Sequence, residues 1–170
     1  MKNLFICCLV ALAGSLFADT WRFEAEDFET EGKWTVGNHV YDYSNGKVLV
    51  ATAQNSTIKG KYEVPKAGKY HVWVRTNTLG GNWRKGLLTV NGKDAGIFGD
   101  DPLKEGQKAG SWYWQKLGVH DLPAAEIEFK VKAIKGYVRI DAFIISDDEK
   151  FVPSNKVSDI SKIKPLEAAI

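Results

Sequence analysis

The sequence predicts an all-β fold, one antiparallel β-sandwich or barrel, on three observations. Beyond Thr20, apolar and polar residues alternate in segment after segment, which is the side-chain spacing of strands half-buried in a sheet. Glycine-rich turns separate these segments at short intervals, as sandwiches and barrels require. No stretch of similar length carries the helical period of about 3.6 residues.

The chain opens differently. Lys2 supplies a positive start, Leu4 to Leu12 form an unbroken apolar run, and small residues follow at Ala13, Gly14, Ser15 and Ala18. The run is shorter than the roughly 20 apolar residues that span a bilayer, so residues 1–18 read as a secretory signal peptide. Both cysteines, Cys7 and Cys8, lie inside that run rather than at its end, which argues against a lipid-anchored cysteine. The exported chain then has no disulfide and depends on its core, with a metal ion as a further source of stability.

The strands follow in order. Trp21, Phe23 and Ala25 alternate with Arg22, Glu24 and Glu26. Ile58, Tyr62 and Val64 share a side, and Pro65 to Gly68 turn the chain into Tyr70, Val72 and Val74. Leu88 to Val90 runs into Asn91-Gly92, the strongest short hairpin signal present. Ile127, Phe129, Val131 and Ala133 alternate with Glu and Lys. The last long strand, Tyr137 to Ser146, is expected to turn Val138, Ile140, Ala142 and Ile144 to one side. Residues 19–150 thus form one domain. Residues 151–170, interrupted by Pro153 and Pro165, form a C-terminal tail that is either a strap along the domain or a linker remnant.

Removing the leader takes one of 23 basic residues and none of 21 acidic ones, leaving the chain almost neutral. The charges are interspersed, with no basic stripe for nucleic acid and no second apolar segment for membrane insertion.

Chemistry has few places to reside. Glu24 and Glu26, two apart on a strand, would project from one face and repel unless a cation or basic group stands between them. Calcium suits such an all-oxygen site; a solvated pair on an exposed face is the other reading. They cannot act as a glycosidase pair, which must flank a sugar from two sides. Asp141 lies in a strand interior, where Asp is depleted, so it needs a cationic partner or a metal. His39, His71 and His120 are scattered, and neither a nucleophile elbow nor a phosphate-cradling loop occurs. No enzyme activity is therefore expected.

Six tryptophans are present. Trp21 and Trp73 read as packing. Trp83, Trp112 and Trp114 fall in stretches that read as loops or loop edges; Trp83 and Trp112 are either packed or offered to a pyranose face, beside polar residues that would bond its hydroxyls.

Three motifs in order then resemble carbohydrate-binding module families 6 and 35: Glu24-Ala25-Glu26-Asp27 opening a strand, Gly68-Lys69-Tyr70-His71-Val72-Trp73-Val74-Arg75, and Ile140-Asp141-Ala142-Phe143-Ile144. The resemblance covers nearly all of Trp21 to Asp148. It implies a galactose-binding-like jelly roll, and a structural calcium ion held by Glu24, Glu26 and Asp141. It also implies a sugar site in the loops at one sandwich end, around Trp83 and Trp112. Two positions depart from the pattern. Arg139 stands where binding members often have Asn, and Leu49 and Val50 stand where an aromatic is expected, with Tyr41 and Tyr43 upstream. The candidate sugar contacts are Trp83, Trp112, Tyr43 and Arg139, the last suited to a uronate or sulfate group. The expected function is that of a secreted, non-catalytic module holding a polysaccharide or glycan by stacking and hydrogen bonds, at the cell surface or in association with a separate catalytic chain. The alternative is a structural or adhesion sandwich without a sugar site, acting in protein–protein association.

Overall fold

A computed structural model describes residues 18–37, 43–77, 83–99 and 108–169. The leader expected over residues 1–18 lies outside these residues except for Ala18, as does Tyr41. Among the described residues no helix is long and apolar enough to cross a membrane.

The strands are β1 (Thr20–Glu24), β2 (Glu29–Glu31), β3 (Trp34–Gly37), β4 (Val48–Ala51), β5 (Thr57–Glu63) and β6 (Gly68–Asn77). They continue with β7 (Lys85–Val90), β8 (Lys93–Phe98), β9 (Trp112–Leu122), β10 (Glu126–Lys135) and β11 (Arg139–Ser146). A single helical turn, α1 (Val157–Ile160), precedes the short β12 (Lys164–Pro165). The strands form two sheets stacked as a jelly-roll sandwich. One has the order β2-β5-β10-β7-β8. In the other, β11 is central: β1 and β4 share one of its edges, and β6 takes the opposite edge and carries β9.

Between the sheets lies an aromatic core. The Phe23 ring is 5.2 Å from Phe143, 4.7 Å from Phe129 and 4.6 Å from Tyr62. These are separations at which rings attract beyond their burial alone.

Three sequence expectations need correction. β1 ends at Glu24, and Ala25–Asp27 is a 3-10 turn, so Glu24 and Glu26 do not share a strand face. The alternation in β11 also fails. Ile140 pairs with Thr76 but Phe143 with Val74, leaving β11 one residue longer than β6 over this stretch. This is a β-bulge at Asp141–Ala142, which leaves an unpaired residue and bends the strand. Val138 and Ile140 join the core as expected, but beyond the bulge Phe143 and Ile145 join it, not Ala142 and Ile144. Finally, Trp112 opens the eleven-residue β9 and so does stand at a loop edge, whereas Trp114 lies within the strand.

Residues 151–169 are a strap. The Ser154 and Asn155 carbonyls accept hydrogen bonds from Trp114 Nε1 and Arg75 Nη2 on the outer face of β6 and β9. Ile160 is buried, β12 pairs in parallel with β1, and Leu166 enters the core. Glu63 N–H then donates to the Glu167 carbonyl, and Ala169 N–H to that of Lys61. The strap crosses from one sheet to the other around the β1 edge, so residues beyond 150 belong to the same folded body.

Candidate functional site

Two constellations sit on this scaffold. The first gathers the acidic residues. The bulge seats Asp141 fully buried, with Arg75 Nη1 2.5 Å from its Oδ2. Ser44 donates its backbone N–H to both Asp141 oxygens, at 3.0 and 3.2 Å, and its hydroxyl to Glu24 Oε2. Arg22 pairs with Glu24 Oε1. Glu26 is the odd member: both carboxylate oxygens are buried without a hydrogen-bond partner, although Asn45 and the Glu26 backbone lie near enough to favour its charge.

Burial dominates the electrostatics. It pushes Glu24 up to about 7, against Ser44 and Arg22, with Glu26 and Asp141 adding to the rise. Burial raises Glu26 as well, with Asp141 contributing. Asp141 is also raised by burial, opposed by Arg75 and Ser44. The three expected metal ligands are thus brought into one neighbourhood, but around Ser44 and two arginines. Among the described residues no three acidic, histidine or cysteine side chains form a ready metal cage. The donor chemistry nevertheless fits a hard divalent cation: all the groups are oxygens, and the Glu26 carboxylate lacks a partner.

The second constellation lies at one sandwich end. Asn77, closing β6, accepts from Arg84 Nη1 through Oδ1 and donates through Nδ2 to the Gly110 carbonyl. Arg84 is only 8% exposed. Burial lowers its pKa to about 10, and the neighbouring Arg139 guanidinium lowers it further in that direction. Arg139 Nε is buried without a partner. Among the described residues no carboxylate pairs with either arginine. Trp83, beside Arg84, is 69% exposed. Gly136, at φ +64°, lets the β10–β11 turn press against this segment; a Cβ there would stand 1.9 Å from the Trp83 carbonyl oxygen. The exposed Tyr137 follows it.

Of the sequence candidates, Trp83 offers its ring to solvent and Arg139 joins Arg84. Trp112 is part-buried: the Tyr43 ring meets it edge-on at 5.3 Å, and the Arg75 guanidinium lies 5.5 Å from its centroid. Tyr43 and Trp112 therefore pack on each other. Sequence reasoning missed Asn77, Arg84 and Tyr137. The dipeptide Trp83-Arg84 was the one available hint, since a cation beside an exposed ring suits a sugar or an anion.

Trp73 does not pack in the core. Val72 and Val74 do, so Trp73, Arg75 and Asn77 face outward, opposite Lys116, Trp114 and Trp112 in register. The strap covers this face and leaves a cavity of about 460 Å3 between Val152, Pro153 and Asn155 on one side and the three tryptophans on the other.

No known family model and no curated protein matches the chain. Solved structures do. A family 35 carbohydrate-binding module from Clostridium thermocellum is similar at 16% identity, over 75% of this chain and 97% of that one, with a TM-score of 0.61. The C-terminal family 6 module of a marine laminarinase from Zobellia galactanivorans is similar at 16% identity, over 76% of this chain and all of that one, with a TM-score of 0.56. A Podospora anserina β-(1,4)-mannanase carrying a family 35 module is similar at 17% identity and a TM-score of 0.62, over 79% of this chain but 29% of the mannanase. This chain therefore has the jelly-roll fold that family 6 and family 35 carbohydrate-binding modules share.

Proposed function

We infer that this protein is an exported, non-catalytic glycan-binding module whose ligand carries an acidic group. The observation that carries the reading is the Arg84–Arg139 pair, two guanidiniums without a described counter-charge, beside the exposed Trp83 ring. Mutual repulsion makes such a pair unfavourable unless an anion joins it, and guanidinium geometry suits a carboxylate or sulfate. Trp83 supplies the stacking surface, while Tyr43 and Trp112 wall the same end. The fold shared with carbohydrate-binding modules supports the glycan reading. Glu24 and Asp141 are held by Arg22, Arg75 and Ser44, which supports binding without bond cleavage.

Calcium belongs to this reading as a structural ion. Glu24, Glu26 and Asp141 would hold it; burial raises the pKa of all three, and a cation among them would offset the cost of keeping them charged out of water. Export through the 1–18 leader completes the proposal, and a separate catalytic chain is the natural partner of a module without chemistry of its own.

A glycan array bearing neutral, uronate and sulfated oligosaccharides tests it. Binding to acidic glycans that is lost in Arg139→Ala, with folding intact, is expected. A blank array, or binding indifferent to Arg139, would overturn the reading.

A further inference from the structure

We propose that the strap-covered face of the β6–β9 pair is a second sugar subsite, taking a pyranose ring of the glycan chain whose acidic end is held at Arg84 and Arg139. The inference rests on the glycan-binding reading but concerns a different surface.

The floor is an alternation of rings and cations. Trp73 faces Lys116, whose Nζ lies 5.6 Å from the indole centroid, and Arg75 lies across from Trp114 with its guanidinium over Trp112. Each contact falls within the range of cation–π attraction. Trp114 has neither a cation nor a ring partner among these contacts. Its Nε1 donates to the Ser154 carbonyl at 3.0 Å, which fixes the ring plane. A ring so held presents its free π face as a stacking platform at little cost in side-chain entropy.

The wall is the strap. Arg75 Nη2 bonds the Asn155 carbonyl at 3.2 Å, and Asn155 and Pro153 line the cavity. Val152, at the mouth, is 75% exposed. The cavity, about 460 Å3, falls within the range of sites that enclose small ligands. Its mixture of apolar walls with a few donors matches a pyranose, which has an apolar C–H face and a hydroxyl rim. The Trp73 indole N–H is also unsatisfied on a side chain only 9% exposed. Buried donors normally have partners, so this one marks a place for an acceptor.

The two sites are continuous. Trp112 lines the cavity and pairs with Asn77, and Asn77 holds Arg84. A glycan bound at the sandwich end can therefore continue past the edge of Trp112 towards Trp114. The strap makes the protein a reader of chain length as well as of terminal charge.

Titration calorimetry of the full chain with oligogalacturonides and sulfated galacto-oligosaccharides, from disaccharide to hexasaccharide, tests this. Affinity in at least one series is expected to rise about tenfold from disaccharide to tetrasaccharide. Val152→Glu, which blocks the mouth at an exposed position, and Trp114→Ala should abolish that rise and leave disaccharide binding unchanged. NMR should show the Trp73 indole N–H shifting with the tetrasaccharide only. If both variants keep the rise while Arg139→Ala weakens every length, the subsite is refuted and the end site stands. If wild type binds neither series and the array is blank, both readings fall. If the variants lose disaccharide binding equally, the subsite is refuted as a separate element.

Discussion

Arg84 and Arg139 set two guanidinium groups near each other at one end of the sandwich, with no described carboxylate paired to either. Arg139→Met should therefore leave the melting temperature unchanged or raise it, since it removes repulsion and keeps an aliphatic stem. Affinity for acidic glycans should fall about tenfold and lose most of its salt dependence. Calorimetry at two salt concentrations, beside thermal melts, checks both parts. A large loss of stability would show that Arg139 is structural.

The Arg75–Asp141 pair is buried on both sides. Asp141→Ala should cost about 3–5 kcal/mol, because it removes one member of a buried, hydrogen-bonded ion pair. The double variant Asp141→Ala, Arg75→Met should recover more than half of that loss. Urea unfolding of wild type, Asp141→Ala, Arg75→Met and the double variant completes the cycle.

Glu24 titrates near 7 in the folded protein against 4.5 as its ordinary value. Between those values the folded form holds the extra proton, so raising the pH through the window from 4.5 to 7 should lower stability, by up to about 3 kcal/mol. Below 4.5 that loss is absent. In chelator, the melting temperature should fall across this window and Glu24→Gln should flatten the slope. Calcium should raise the melting temperature at pH 7 and remove most of the slope. Melts insensitive to chelator and calcium alike would exclude the structural ion.

Leu166 reaches the core from the strap. Leu166→Ala should destabilise the whole domain by about 2–5 kcal/mol, as a core leucine does. Guanidinium denaturation followed by fluorescence would show one transition shifted to lower denaturant. A separate early phase confined to the strap would show that the strap folds independently.

Gly136→Ala would drive a methyl group into the Trp83 carbonyl at a positive φ. A cost of about 1–3 kcal/mol is expected from the backbone alone, with weakened acidic-glycan binding as Trp83 and Arg84 shift together. Binding unchanged in a destabilised variant would separate the turn from the site.

Much of this architecture was legible in the sequence, and the remainder fails for identifiable reasons. Alternation located β1, β5, β6, β10 and β11 because each has one apolar face, and Asn91-Gly92 marked the β7–β8 hairpin. Alternation could not reveal the bulge, since one added residue conserves composition and changes only phase. The start of β9 reads as a loop or loop edge because Trp112, Tyr113 and Trp114 are aromatic on both faces: Tyr113 is buried while the two indoles meet the strap. Arg84 carries no local signature beyond the neighbouring Trp83; its importance arises from Asn77 and Arg139, which the fold brings to it. The acid cluster was anticipated in membership but not in arrangement, because Ser44, which joins Glu24 to Asp141, lies in a segment without pattern.

The extra residue in β11 reaches beyond Asp141. Were that strand to match β6 residue for residue, its two halves would follow a single phase. Keeping Val138 and Ile140 inward would then swing Phe143 and Ile145 to the outside and empty the place beside Phe23. The protein keeps a greasy centre and a charged seat on the same strand by miscounting once, so a deletion at that point would force it to surrender one of them.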